Sequence, residues 1–243
     1  MKTAINLYSV RDLDEPLADI IDRVAEAGYD GVQFSGGFRG ATAEEAAALV
    51  AESGLEVTPA HIGYEALRDD RSTVLADYRD TVGCSGGVIP YLGEERFASA
   101  ESVDALAEET TALAEEFAAE DWTLQYHNHA HEFVDLDGET AFTRFIEHSE
   151  NVLFELDVGW ALVGGSDPVE LIEQYGDTME LIHMKDMDVE TEDFREIGEG
   201  DVDMRGCAQA ARDAGVEWLI YEHDQPADPR ESIDTGAAVL NDL

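Results

Sequence analysis

The sequence is poor in the features that mark secreted, membrane-spanning and nucleic-acid-binding chains. Only two cysteines occur in 243 residues, Cys84 and Cys207. They are far apart and outside any metal-ligand spacing, so neither a disulfide framework nor a zinc finger is implied. No apolar run approaches the roughly 20 residues that a membrane span requires. The opening MKTAINLYSVRD lacks a signal-peptide pattern and reads as a first strand. These absences give the expectation of a cytoplasmic protein with no membrane partner. Basic residues are also scarce, 14 Lys and Arg against 56 Asp and Glu, for a formal charge of −42. Binding to a phosphate backbone depends on Lys and Arg displacing counterions, so nucleic acid is not expected as a partner. Self-repulsion of this size penalises a compact state, and high salt relieves it, because the Debye length falls to about 3 Å at 1 M ionic strength. A halophilic origin is the expectation. An acidic disordered chain is the alternative, but ordered β-rich hydrophobic segments recur throughout.

What is present is an alternation. Apolar, β-branched runs alternate eight times with amphipathic stretches rich in Ala and Glu, with no linker, low-complexity segment or repeat between them. Strands are expected near Ala4–Tyr8, Gly31–Phe34, Glu56–His61, Gly87–Tyr91, Thr123–His127, Val152–Asp157, Met179–Met184 and Trp218–Glu222. Two of the clearest helices run from Thr42 to Ser53, where Thr42 and Glu45 make a capping box, and from Ser102 to Glu120. Gly28, Gly54 and Gly215 fall just past helices, where a left-handed cap is wanted. No glycine fingerprint follows the first strand, and Gly36-Gly37 and Gly164-Gly165 read as turns, which argues against a doubly wound sheet. Eight β-then-α units in a chain close to the usual length of about 250 residues predict a single (β/α)8 barrel over residues 1–243.

In such a barrel the active site lies at the strand C-termini. Apolar strands run into Asp157, His183 and Glu222, and the fifth runs into Tyr126-His127-Asn128-His129-Ala130-His131-Glu132. In a chain with 56 acids a random carboxylate is a solvated surface group, so position carries the weight. An Asp, a His and a Glu from three strand ends suit a divalent ion with open coordination positions, Mn²⁺ or Mg²⁺. Strand alternation sends His127 and His129 to one face and Asn128 to the other; both histidines are expected near the substrate. Glu132 lies beyond the strand and must reach back to bind. Lys185 is one of only two lysines, the other being Lys2. It is expected either to hold a substrate oxygen or an enolate as a compact point charge, or to pair with Asp186 or Asp188.

These segments together resemble the sugar phosphate isomerase/epimerase family of xylose-isomerase-like barrels. The resemblance rests on Leu7-Tyr8-Ser9-Val10-Arg11, Gly28-Tyr29-Asp30-Gly31-Val32, Tyr126-His127-Asn128-His129 with Glu132-Phe133, Leu156-Asp157 with Trp160, Gly164-Gly165 with Asp167-Pro168, His183-Met184-Lys185-Asp186 and Ile197-Gly198-Glu199-Gly200-Asp201-Val202-Asp203. It spans nearly the whole chain. It implies a metal held by Asp157, His183 and Glu222. Many relatives end strand five in a glutamate, whereas this chain has Gln125, Tyr126 and His127 there. Glu132 is the substitute expected, with His127 and His129 as rivals. The implied reaction is isomerisation or epimerisation of a keto-sugar or polyol: Glu222 or His127 removes the α-proton, and the metal and Lys185 stabilise an enediolate. His61, His129, Trp160 and Lys185 are the residues expected to touch substrate. Alternatives are a dehydratase or other lyase acting on an inosose or 3-keto-glycoside, a nuclease disfavoured by the charge, and a non-catalytic sugar-binding barrel. A homo-oligomer is compatible with all of these.

Overall fold

A computed structural model describes residues 1–243. The barrel strands are β1 (Lys2–Asn6), β2 (Gly31–Gln33), β3 (Glu56–Val57 and Ala60–His61), β4 (Gly86–Ile89), β5 (Thr123–His127), β6 (Val152–Asp157), β7 (Met179–Met184) and β8 (Trp218–Tyr221). All neighbours are parallel, and β1 pairs with both β2 and β8. The two ends of the hydrogen-bonded order are the two pieces of β3. They are one strand interrupted at Thr58-Pro59, where proline has no N–H to give. Across the break Thr58 N donates to Val32 O at 3.1 Å and His61 N to Phe34 O at 2.8 Å, so the sheet closes on itself.

The expected elements form with small displacements that have local causes. β1 stops at Asn6, not Tyr8, because the Asn6 side chain accepts from Tyr8 N at 2.8 Å and turns the chain into a single 3₁₀ turn, Leu7–Val10. β4 ends before Pro90. The long helix is Ala100–Ala118, capped by Ser99. The Thr42–Glu45 capping box is present, and Gly28, Gly54 and Gly215 take φ of +94°, +78° and +83° at helix ends. No helix is long and apolar enough to cross a membrane.

The main core, 62 buried residues, fills the space between strands and helices. A second, five-residue cluster of Ala4, Val88, Leu181, Trp218 and Ile220 comes from the inward-facing positions of the strands. At its foot Gly31 leaves room for the Trp218 ring, which a Cβ there would meet at 2.7 Å. Alternation then decides what lies further along each strand. Two residues beyond Ala4 is Asn6, two beyond Leu181 is His183, and two beyond Ile220 is Glu222. The barrel interior therefore changes from apolar to polar toward the strand C-termini, and that change positions the site.

Candidate active site

Asp157, His183 and Glu222, expected at strand ends, converge with His127. One ligand atom of each lies within 4.8 Å of the others, and all four residues are buried. Each approach has a local cause. Asp157 ends β6 and caps the next helix, its Oδ1 accepting from Trp160 N at 2.9 Å. Its backbone is held by Asn128, which accepts from Asp157 N at 2.9 Å and donates to Asp157 O at 3.2 Å. Asp157 Oδ2 stands 3.8 Å from His127 Nε2. It is buried with no hydrogen-bond partner, although the Lys185 ammonium is at ion-pair distance, 2.9 Å, without alignment. His183 Nδ1 is 3.1 Å from Glu222 Oε2.

Lys185 does not pair with Asp186 or Asp188. Its ammonium, 1% exposed, faces Asp157 at 2.9 Å, Glu222 at 2.8 Å and Asp224 at 3.2 Å. Asp186 instead pins the Ile197–Asp203 loop, accepting from Gly198 N, Gly200 N and Val202 N at 2.8, 2.9 and 3.2 Å. Burial alone would strip Lys185 of its proton, but Asp157, Glu222 and Asp224 outweigh it and hold its pKa well above the ordinary value. Burial opposes the charge on Glu222, yet Lys185 and His183 keep that carboxyl well below the usual range. Burial likewise works against a charged His183, and Glu155 with Glu222 reverse it, raising its pKa to about 10. Burial lowers His127 and takes His129 down to about 2, so both rings are neutral.

A cavity of about 630 Å³ opens above this cluster, lined by His61, His127, His129, Lys185, Glu222 and Asp224, with Tyr8, Arg11, Ser35 and Tyr91 toward the rim. Arg11 is the only guanidinium lining it. It has no carboxylate partner and donates instead to Tyr8 O and Asp224 O. His129 turns its ring to Tyr91 and Trp160, at centroid distances of 5.1 and 5.7 Å, and its buried Nδ1 has no partner. Trp160 is not among the lining residues. Its ring lies 5.2 Å from Lys185 Nζ, and its buried Nε1 also lacks a partner.

Glu132 stands apart from the cluster. Its carboxylate accepts from Tyr126 Oη at 2.5 Å and His129 N at 2.9 Å, and burial raises its pKa. Tyr126 alternates outward from β5, away from the barrel axis, and takes Glu132 with it. The β5 residue that joins the other three is His127.

Sequence reading missed Glu155, Gln33, Asn6 and Asp224. Glu155 is fully buried, two residues before Asp157, with Oε2 2.5 Å from His61 Nε2 and 3.0 Å from His127 Nδ1. Its Oε1 takes a hydrogen bond from Gln33 Nε2 at 2.5 Å and lies 3.1 Å from His183 Nε2. Burial disfavours its charge, but His183 and His61 hold its carboxyl well below the usual range. Asn6 joins from β1, donating to Gln33 Oε1 at 2.6 Å.

Comparison with known proteins agrees with this architecture. A sugar phosphate isomerase/epimerase from Parabacteroides distasonis superposes with a TM-score of 0.86 at 18% identity, covering 100% of this chain and 99% of that one. A probable 3-DHS dehydratase from Bacillus anthracis gives 0.77 at 17%, covering 99% of each chain. A 3-keto-D-glucoside 4-epimerase from E. coli gives 0.71 at 16%, covering 100% of each. Among curated sequences, an inosose dehydratase of Geobacillus kaustophilus is 41% identical over 66 residues, 26% of this chain and 21% of that protein. The match thus spans about a fifth of that relative's length. The xylose isomerase-like TIM barrel family model matches residues 21–243, and the chain belongs to that family.

Proposed function

We propose that the protein is a divalent-metal-dependent isomerase or epimerase of a keto-sugar or related polyol, working by removal of the proton next to the carbonyl. The observation that carries this reading is Asp157 Oδ2, a buried carboxylate oxygen without a hydrogen bond, set among His127, His183 and Glu222 at ligand spacing. Four carboxylates, Glu155, Asp157, Glu222 and Asp224, face two cations: Lys185 is set against Asp157, Glu222 and Asp224, and His183, with its raised pKa, against Glu155 and Glu222. Buried negative charge in such excess calls for a compensating cation. The fit is good: two imidazoles and two carboxylates suit Mn²⁺ better than Mg²⁺, which favours oxygen ligands alone. Bound there, the ion would supply Lewis-acid polarisation of the substrate carbonyl and its neighbouring hydroxyl.

The chain's own groups do the rest. Glu222 uses Oε2 for both His183 and Lys185, which leaves Oε1 for the cavity it lines, where it takes the α-proton. His127, neutral and lining the same cavity, is the rival base only if it is not a ligand. Lys185 offers its charge to the oxygen that becomes negative. Its ammonium lies at ion-pair distance from three carboxylates, so a substrate oxygen approaches it in competition with them. His129, which lines the cavity with an unpartnered Nδ1, holds a hydroxyl, whereas His61 has both nitrogens engaged by Glu155 and Asn6 and contributes its ring face to the wall.

A dehydratase is the second reading. The local identity with an inosose dehydratase supports it, as does the ending of β5 in a histidine. Reprotonation on the opposite face needs a second acid, whereas a β-hydroxyl on the same face as the abstracted proton can leave as water with the proton that Glu222 has just taken. The test is Mn²⁺-reconstituted protein in D₂O, offered keto-sugars, inososes and 3-keto-glycosides. Deuterium at the α-carbon is expected. Isomeric or dehydrated product separates the two readings, and no exchange with any of them leaves a sugar-binding barrel without catalysis.

A further inference from the structure

Beneath the proposed ligands lies a second set at metal spacing, His61, His127, Glu155 and His183, which shares two histidines with the first. His127 offers Nδ1 to Glu155 and Nε2 to Asp157, at 3.0 and 3.8 Å. His183 offers Nε2 to Glu155 and Nδ1 to Glu222, both at 3.1 Å. A ring that gave both nitrogens as lone pairs would have lost its last proton, so one set holds an ion and the other holds protons.

Gln33 decides which. Its Nε2 donates to Pro59 O at 3.0 Å, a partner that can only accept. Its Oε1 therefore faces His183 Nε2 at 2.8 Å, and that nitrogen carries a hydrogen. The lone pair of the neutral ring is then on Nδ1, beside Glu222. Glu155 Oε2, 3.0 Å from His127 Nδ1, fixes a hydrogen there by the same logic and leaves Nε2 toward Asp157. Both Glu155 oxygens have partners, whereas Asp157 Oδ2 has no hydrogen bond. The lower set is saturated and the upper one is not.

We infer that Glu155 and Gln33 are positioning residues that lock His127 and His183 in the tautomers presenting Nε2 and Nδ1 to the ion, and so exclude it from the lower set. The inference rests on the metal reading above. Carboxylates that take the second N–H of a ligand histidine typically contribute 10–100-fold in affinity.

The test pairs two readouts. In the metal-free protein, ¹⁵N NMR should find neutral His127 as the Nδ1–H tautomer and find that preference lost in Glu155→Gln. Mn²⁺ titration followed by EPR should give a 10–100-fold weaker site in Glu155→Gln and a larger loss in Asp157→Asn. Gln33→Leu, which leaves every charge in place, should weaken Mn²⁺ about tenfold and serves if Glu155→Gln does not fold. Wild-type His127 in the Nε2–H form, or unchanged Mn²⁺ affinity in the Glu155 and Gln33 variants, would overturn the inference. So would loss of binding in Glu155→Gln with Asp157→Asn unaffected, which would move the ion to the lower set. Failure of the wild type to bind Mn²⁺ at all would remove the metal reading, while the His127 tautomer would still decide whether Glu155 orients that ring.

Discussion

The carboxylates outside the barrel and those inside its mouth are the same chemical group under opposite rules. Outside, Asp242 pairs with Arg205 at 75% and 71% side-chain exposure, and Asp69 pairs with its neighbour Arg68. Pairs of this kind contribute about 0–1 kcal/mol in water. Inside, Glu155 and Asp157 are fully buried and Glu222 is 4% exposed. Each is tied to named histidines or to Lys185, and for Glu155 and Glu222 burial is outweighed by those partners, which hold the carboxyl well below the usual range. On the surface number matters and position hardly at all, whereas in the mouth one oxygen more or less changes what the site can bind.

The contrast is sharpest if single interior acids fail where exterior ones do not. Glu222→Gln should lower turnover by about 10³-fold, within the range of a lost general base, while exposed Glu115→Gln should leave it unchanged. Equal losses would erase the distinction. Asp157→Asn should weaken Mn²⁺ by about 100-fold or more with the melting temperature nearly kept, read by calorimetric titration. Lys185→Arg should cost about tenfold in turnover, roughly 1.4 kcal/mol, because a planar fork cannot take the place of a compact ammonium among three carboxylates. Full activity in that variant would make the lysine purely structural.

The interior also carries a pH signature on the alkaline side, where the exterior carboxylates do not titrate. In the metal-free protein burial opposes a charge on His183, but Glu155 and Glu222 outweigh it and raise the His183 pKa to about 10, above the unfolded value of roughly 6.5. Its contribution to stability is therefore complete below about 6.5 and lost as pH rises to about 10. The melting temperature of the wild type should fall across that interval more than that of His183→Gln. Parallel curves would show that the ring is not charged in the fold.

The eight strands were legible because β-branched runs between Gly and Asp turns leave few other options, and they depart from expectation at the turn after Asn6, at the break at Thr58-Pro59 and at the stop before Pro90. Asp157, His183 and Glu222 were legible as polar residues ending apolar strands. Glu155 and Gln33 were not, because only terminal residues were weighed. Alternation applied one step further, from Asp157 back to Glu155, would have placed a second acid in the same barrel. Glu132 shows the limit in the other direction. Its spacing allowed a reach back to the site, and nothing in the sequence says that the Tyr126 hydroxyl intercepts it.

The smallest effect expected belongs to the exterior, where many weak repulsions add. Twelve arginines and two lysines cannot neutralise 56 acids, and along the helix Ala100–Ala118 Asp104 and Glu108 are four apart on one face. Like charges so placed repel, which Arg144 offsets at Asp104. Raising KCl from about 0.1 M to about 1 M shortens the Debye length from roughly 10 to 3 Å, which mutes such pairs on the surface and hardly touches pairs buried beside Lys185. The melting temperature should therefore climb with KCl, and the exposed substitutions Glu108→Gln and Glu115→Gln together should raise it at low salt but not at molar salt. The fold loss in turnover from Lys185→Arg should be the same in both. A melting temperature indifferent to KCl would mean that the acidic exterior imposes no repulsion worth screening, and the halophilic reading of the composition would fall with it.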